Sequence, residues 1–512
     1  MKTTRILAAV VAAGVAATLA ACSGSGGGAA GTAAQHSDTL AIGTMTAAAS
    51  LDPTQATGSG MPYYQAVYDT LILRKADGTY APMLATEWSY DDTRTALSLT
   101  LRQGVTFTDG SAFDGAAVKK NLIAFRDGGG GSATELSALK SVKVVDAHHV
   151  VLELKQPDPG LLFSLSDAAG LVASPTKIGS KDLATQPDGT GPYTLDTAST
   201  AIGSKYVFTR KADYWGDKAA YKTVTISSFD NENAIVNGLK TGQLNTAILQ
   251  TVDQQTAAES DTKLTSQKFE FDFQGLILFD RAGALNKALG DVKVRQAINY
   301  AIDRDALLTG LRQGRGTVTS QIWGPDTPGY EKSLDDAYPY DPAKAKQLLA
   351  EAGYADGFTL TLPALAGITT DAMTSALSTQ LKKVGITLKW DSLDGSTALQ
   401  KIFRDRAYAG MVMNLGQATD AWTVVQAAIL PGTFNMFGYT DPTVTKLAAK
   451  IAAEPADQAG ADAKALNEHV VDQAWFAPFY RMTYTLVTDQ TVKATTQSGM
   501  AVPSLYDYTP AS

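Results

Sequence analysis

The sequence predicts an exported α/β protein with two or three substantial lobes, and three observations lead there. First, stretches with a period of two and stretches with a helical period follow one another repeatedly, the pattern of strands and helices packed in layers. Second, the chain has 512 residues, whereas single hydrophobic cores stop growing at roughly 250–300. Third, Lys2 and Arg5 precede an uncharged apolar run over 6–21 that ends in small residues. That is the arrangement of a secretory signal, and the run is too short to span a bilayer, which takes roughly 20 residues.

The elements follow in order. Residues 23–34 are Ser, Gly, Ala and Thr without charge or bulk, so they read as a flexible tether. Within them Gly26 to Gly31 formally matches GxGxxG, but no strand precedes it, so it marks no dinucleotide site. Residues 39–43 alternate as a first strand, and Asp52-Pro53 starts a turn. An aromatic and apolar face at helical spacing runs over 63–73. Asp77-Gly78 and Asp109-Gly110 are turns. Between them Leu97, Leu99 and Leu101 alternate with polar residues as a half-buried strand. A helix is expected over 116–126, stopped by Gly128 to Gly131, and then a hairpin of 142–145 with 150–154. Strands at 206–210 and 224–228 precede a helix at 233–239 that ends at Gly242. A helix pair occupies 291–311. Asp341-Pro342 starts a helix over 343–352, closed by Gly353. Strands 359–363 and 386–390 flank a helix over 371–383.

Composition narrows the function classes. Apolar residues make up 45% and charged residues 18%, an ordinary globular balance. The net charge is -8, and -10 once Lys2 and Arg5 are removed with the signal. With no basic block, nucleic acid is excluded as a partner. Cys22 is the single cysteine, so the exported part has no disulfide. The four histidines are His36, His148, His149 and His469, and no HExxH or CxxC pattern exists. Adjacent His148 and His149 would face opposite sides of a strand, so neither a metal nor any other cofactor is expected. No GxSxG elbow, phosphate loop or kinase motif occurs, so no enzyme activity is expected.

Two resemblances sharpen this picture. Leu19-Ala20-Ala21-Cys22 resembles the lipobox of bacterial lipoproteins. That implies a diacylglycerol on the Cys22 thiol, cleavage before it, and anchoring to the outer face of the bacterial cell membrane rather than spanning. Five blocks, covering nearly the whole mature chain, resemble the extracellular solute-binding proteins of family 5, the peptide/nickel type that serves ABC importers. They are Tyr68-Asp69-Thr70-Leu71-Ile72 with Asp77-Gly78, Pro82 and Leu84-Ala85; Leu101-Arg102-Gln103-Gly104-Val105-Thr106-Phe107-Thr108-Asp109-Gly110; Thr190-Gly191-Pro192-Tyr193 with Tyr214-Trp215-Gly216; Val294-Arg295-Gln296-Ala297-Ile298-Asn299-Tyr300-Ala301-Ile302-Asp303-Arg304; and Asp341 to Tyr354. As residues these blocks read as scaffold, with Arg295 and the Asp303-Arg304 pair able to bond each other or their neighbours.

The resemblance implies a monomeric two-lobed clamp of the type II periplasmic-binding-protein kind, with an extra subdomain in the first lobe. Residues 1–21 would be the signal and 22–37 the tether. The first lobe would comprise 38–75, 170–268 and 484–512, the inserted subdomain 76–169, and the second lobe 269–483. Crossings near 269–275 and 478–484 would form the hinge, and the closed clamp would dock on a permease whose ATPase is a separate chain. In peptide-binding members of the family an Asp after a second-lobe strand holds the ligand's amino group, and here Gln417 stands at that place. Asp420 either substitutes for it or caps a helix. Strict dipeptide binders also place an Arg in the loop that corresponds to 363–369, which has none here. Both charged grips of a dipeptide clamp are therefore missing, which favours a longer oligopeptide or an uncharged oligosaccharide. Tyr63, Tyr64 and Trp422 are the aromatic candidates for ligand contact, with core packing as the alternative for the tyrosines. A signal-peptide receptor is the rival reading of another class.

Overall fold

A computed structural model describes residues 38–417, 419–455 and 458–511. Cys22, the 23–34 tether and His36 lie outside the described residues. The backbone of the fold is a mixed sheet that runs Gly410–Gly416, Leu264–Leu278, Phe476–Asp489, Thr246–Leu249, Thr39–Thr44, Thr223–Ser228, Lys205–Arg210 and Tyr193–Leu195, with Gly316–Val318 also paired to Phe476–Asp489. The first predicted strand lies near its middle. It is parallel to Thr223–Ser228, with Leu40 opposite Val224 and Ile42 opposite Ile226, so its alternating apolar side is buried.

Two strands are far longer than the rest, and they hold the molecule together. Leu264–Leu278 and Phe476–Asp489 pair antiparallel along most of their length. Their outer halves, 264–270 with 483–489, join the part of the sheet that contains the first strand. Their inner halves, 273–277 with 476–481, join Gly410–Gly416. Two register shifts interrupt the pairing, one between Glu270 and Phe273 and one between Gln274 and Gly275. The apolar core divides at the same place. One cluster gathers residues from 40–226 with 492–508, and two others gather residues from 273–484. The result is a two-lobed α/β protein whose lobes share one continuous pair of strands.

A separate four-stranded sheet has the order Ala85–Tyr90, Ala96–Leu101, His149–Leu154, Leu139–Val144. It contains the predicted hairpin, and Leu97, Leu99 and Leu101 face its core. Asp caps start the helices here and elsewhere: Asp114 accepts from Ala117 N at the head of Gly115–Asp127, and Asp341 from Lys344 N at the head of Pro342–Glu351. The expected pair over 291–311 consists of Val292–Tyr300 and Arg304–Arg312, capped by Asp291 and Asp303.

One expectation needs correction. The apolar face over 63–73 is not one helix. The helix is Met61–Val67, Tyr68 turns extended at φ −126°, and Ile72–Arg74 is a strand paired with Tyr80–Pro82. Between helix and strand the Asp69 carboxylate enters a buried set of donors. Of the partners open to Arg295 and Arg304, the structure shows neighbouring carbonyls, while Asp303 is committed to its cap. Both arginines are buried: Arg295 reaches Leu289 O at 2.7 Å, and Arg304 reaches Pro478 O at 2.8 Å and Tyr338 O at 3.0 Å. Among the described residues no helix is long and apolar enough to cross a membrane, and no group of three or more His, Cys, Asp or Glu is placed to hold a metal. His149 instead contacts Asp146 at 2.9 Å on the surface.

Candidate functional site

The second lobe contributes the segment that follows strand Gly410–Gly416. Gln417 ends that strand with its backbone N–H on Phe271 O at 2.9 Å, and its Nε2 donates to Ile322 O at 3.0 Å. Its amide is therefore bound within its own lobe. Asp420 begins the short helix Ala421–Val424, and its Oδ1 accepts from Thr423 N at 2.7 Å. The capping role is real, but it uses only one carboxylate oxygen. The other, Oδ2, is buried without a hydrogen-bond partner; burial raises the pKa of this group, while the Thr423 N–H and hydroxyl and, less, nearby Arg74 lower it. Trp422 is 4% exposed, and its indole N–H is also buried without a hydrogen-bond partner.

These residues meet a wall built by the other lobe. A Cβ placed on Gly160 would lie 3.3 Å from Trp422 Cδ1 and 3.3 Å from Thr423 Oγ1, so the indole lies directly on the Gly160 backbone. Asp158, two residues before it, is buried and is pushed up to about 6, first by burial; the Asp420 charge also raises it, while the Gly160 N–H and the Trp422 indole lower it. Further contacts across the same boundary are Gln426 Nε2 to Ser137 Oγ at 3.3 Å and Ser498 Oγ to Asp326 at 3.1 Å.

The wall also holds residues that the sequence reading did not single out. Arg74 is 3% exposed, pairs through Nη2 with Asp167 at 3.2 Å, and lies 4.2 Å over the Phe163 ring. Its Nε and Nη1 are buried without partners. Glu135 is pushed up to about 8 by burial and by the Asp167 charge, and its Oε2 has no partner. One guanidinium thus serves three carboxyl groups, Asp167, Glu135 and Asp420. Nothing in the local sequence marks Arg74 as a site residue. It lies in an apolar strand, and its neighbours come from segments 60 to 350 residues away.

Tyr63 and Tyr64 lie in helix Met61–Val67, each 4% exposed. Their hydroxyls donate to backbone carbonyls, Tyr64 to Ser50 at 2.7 Å and Tyr63 to Thr46 at 3.3 Å, and the Tyr63 ring meets Tyr206 edge-on at 5.1 Å. They brace the loop after the first strand. The structure does not bring them to the Asp420 and Trp422 set by any bond.

A cavity of about 390 Å³ opens where the crossing strands pass between the lobes. Gln250 and Asp253 line it from the first lobe, and Arg312, Ile368 and Asn414 from the second. Its floor is polar and ordered: Tyr480 OH donates to Gln274 Oε1 at 2.6 Å, and Gln274 Nε2 donates to Asn414 Oδ1 at 2.8 Å. Chemically, the boundary offers unpartnered donors on Arg74 and Trp422 and unpartnered acceptors on Asp420 and Glu135. Such groups are costly to bury alone, and a solute that carries both an ammonium and carbonyl or carboxylate oxygens would satisfy them.

The profile of bacterial extracellular solute-binding proteins, family 5 (middle), matches residues 79–435, more than half of the chain. The glutathione-binding protein GsiB of Salmonella paratyphi A is 32% identical over 329 residues, 61% of this chain and 61% of that relative's own length. In fold, the chain superposes on the periplasmic binding protein DppA of Helicobacter pylori, solved in complex with the peptide STSA, with a TM-score of 0.80 at 21% identity, covering 93% of this chain and 98% of that one. It also superposes on AgaA of A. tumefacien, in complex with agropinic acid, with a TM-score of 0.79 at 23% identity over 93% and 99%.

Proposed function

Since the chain belongs to the bacterial extracellular solute-binding proteins of family 5, we propose that it captures an oligopeptide between its two lobes and hands it to the permease of an ABC importer, the ATPase being a separate chain. The observation that carries the peptide reading is the pair of opposed walls. Asp420 and Trp422 on one side and Arg74 and Glu135 on the other keep buried, unpartnered donors and acceptors. A peptide presents an ammonium, a carboxylate and amide groups, so it can answer both. An uncharged oligosaccharide, the other solute that the sequence leaves open, offers the buried Asp420 carboxylate no cationic partner, and its hydroxyl contacts repay that burial less well. The charged grips of dipeptide-binding relatives are missing here, with Gln417 at one place and no Arg in the 363–369 loop. The proposed grip uses Asp420 and Arg74 in their place.

Closure would be a hinge motion about the two register shifts in the crossing strands, stabilised by a ligand that touches both walls. The proposed lobe limits remain 38–75, 170–268 and 484–512 for the first, 76–169 for the insert and 269–483 for the second. Lipid on Cys22 would hold the monomeric clamp at the membrane near its permease, raising the effective concentration of one for the other.

Thermal melting with a tetrapeptide library tests the proposal. Binding to the native state raises Tm by mass action, and Asp420→Asn and Arg74→Gln should each weaken the best peptide at least tenfold. If no peptide shifts Tm while a cello-oligosaccharide does, the peptide reading fails. Separately, Cys22→Ala should release the protein from the membrane fraction without loss of peptide binding.

A further inference from the structure

A second cavity, of about 700 Å³, lies wholly in the first lobe and its insert. Its lining comes from 40–221 and 505–509, and no residue of the second lobe reaches it. It therefore cannot close around cargo as the lobe boundary would, yet its size falls in the range of small-molecule sites, roughly 300–1,000 Å³.

Its walls are held from behind by one carboxylate. Asp69 is completely buried and accepts from Trp215 Nε1 at 2.8 Å, Tyr506 OH at 2.8 Å, Tyr214 OH at 2.9 Å and Thr190 Oγ1 at 2.9 Å. The polar ends of three aromatic side chains are thus bound to Asp69, and it is these same rings that line the cavity. Such rings are pre-organised, so little side-chain freedom is lost when something stacks on them. The charged lining is Arg102, Lys218 and Asp217, an excess of one positive charge. Arg102 is fixed, with Nε donating to Met83 O at 2.8 Å and its guanidinium 4.6 Å over the Trp215 ring. Tyr221 closes the back of the cavity with its ring, 2% exposed.

We propose that this cavity is a second binding site, independent of the cargo site, for a planar aromatic carboxylate. The ring stacks against Trp215 and Tyr506, and the carboxylate faces Arg102 and Lys218. Such a ligand bridges the start of the first strand, the insert and the C-terminal segment 505–509, and leaves the lobe boundary untouched.

Indole-3-acetate is a suitable probe, titrated by calorimetry into the full mature chain with and without saturating tetrapeptide. The expected result is one saturable site whose affinity is the same in both titrations. Unsubstituted indole should bind at least fivefold more weakly, because it lacks the carboxylate. Lys218→Gln and Arg102→Gln should each weaken the probe at least fivefold while leaving peptide affinity unchanged. Lys218 is exposed, so the Tm of Lys218→Gln should match that of the parent, and loss of probe binding in it does not reflect unfolding. Absence of saturation, displacement by the tetrapeptide, indole binding as tightly as indole-3-acetate, or unchanged probe affinity in both variants would each overturn the proposal.

Discussion

Asp69 and Glu135 are both buried carboxyl groups with opposite consequences. Asp69 is surrounded by four donors, so removing it leaves buried groups unpaired. With each such group costing about 1–3 kcal/mol, Asp69→Ala should lose at least about 3 kcal/mol in urea unfolding, and Asp69→Asn, which keeps one acceptor oxygen, should lose less. Glu135 keeps a bare oxygen and has its pKa pushed up to about 8. Above the ordinary carboxylate range the native state then holds a proton that the unfolded chain has released, so this residue's contribution to stability falls as pH rises through about 8. Glu135→Gln should therefore be more stable than the parent at pH 9 and no more stable at pH 5, and equal stability differences at the two pH values would contradict the burial described above. At Trp422 and Tyr64 the expected effects separate. Trp422→Ala should weaken peptide capture strongly, whereas Tyr64→Phe should cost about 1 kcal/mol of stability, the hydrogen bond to Ser50, and leave affinity unchanged.

At the level of elements, the two crossing strands decide how the lobes relate. Gly275 sits at the second register shift, where a Cβ would come within 2.5 Å of Pro478 Cα, a backbone atom that cannot step aside. Gly275→Val should cost more than about 2 kcal/mol by overpacking, and by disturbing the shift it should also reduce the change in radius of gyration seen by X-ray scattering when peptide binds. Gly191 is constrained in the same way, with a Cβ only 2.6 Å from Tyr68 N, which explains a glycine in the Thr190-Gly191-Pro192-Tyr193 block. Most elements were legible from local rules. Asp114, Asp303 and Asp341 announce their helices, and the alternation of Leu97, Leu99 and Leu101 announces its strand. The helix expected over 63–73 fails because its apolar face is shared by two elements. Residues 61–67 bury it as a helix and 72–74 bury it as a strand, and periodicity alone cannot detect the change between them.

For the molecule as a whole, the α/β class, most helix starts and turns and the resemblance to family 5 are legible in the sequence alone, as is the expectation of a signal over 1–21 before Cys22, which lies outside the described residues. Each of these rests on residues near one another in the chain, where periodicity, capping and motif order act. The tertiary structure alone decided that Arg74, Glu135, Asp158 and Asp167 gather opposite Asp420 and Trp422, and that Asp69 anchors a ring-lined cavity shared with residues 214–221 and 505–509. A charge is informative about function when it is desolvated and left without a partner, and both conditions depend on which distant segments the crossing strands bring together, a property that no local window of sequence contains.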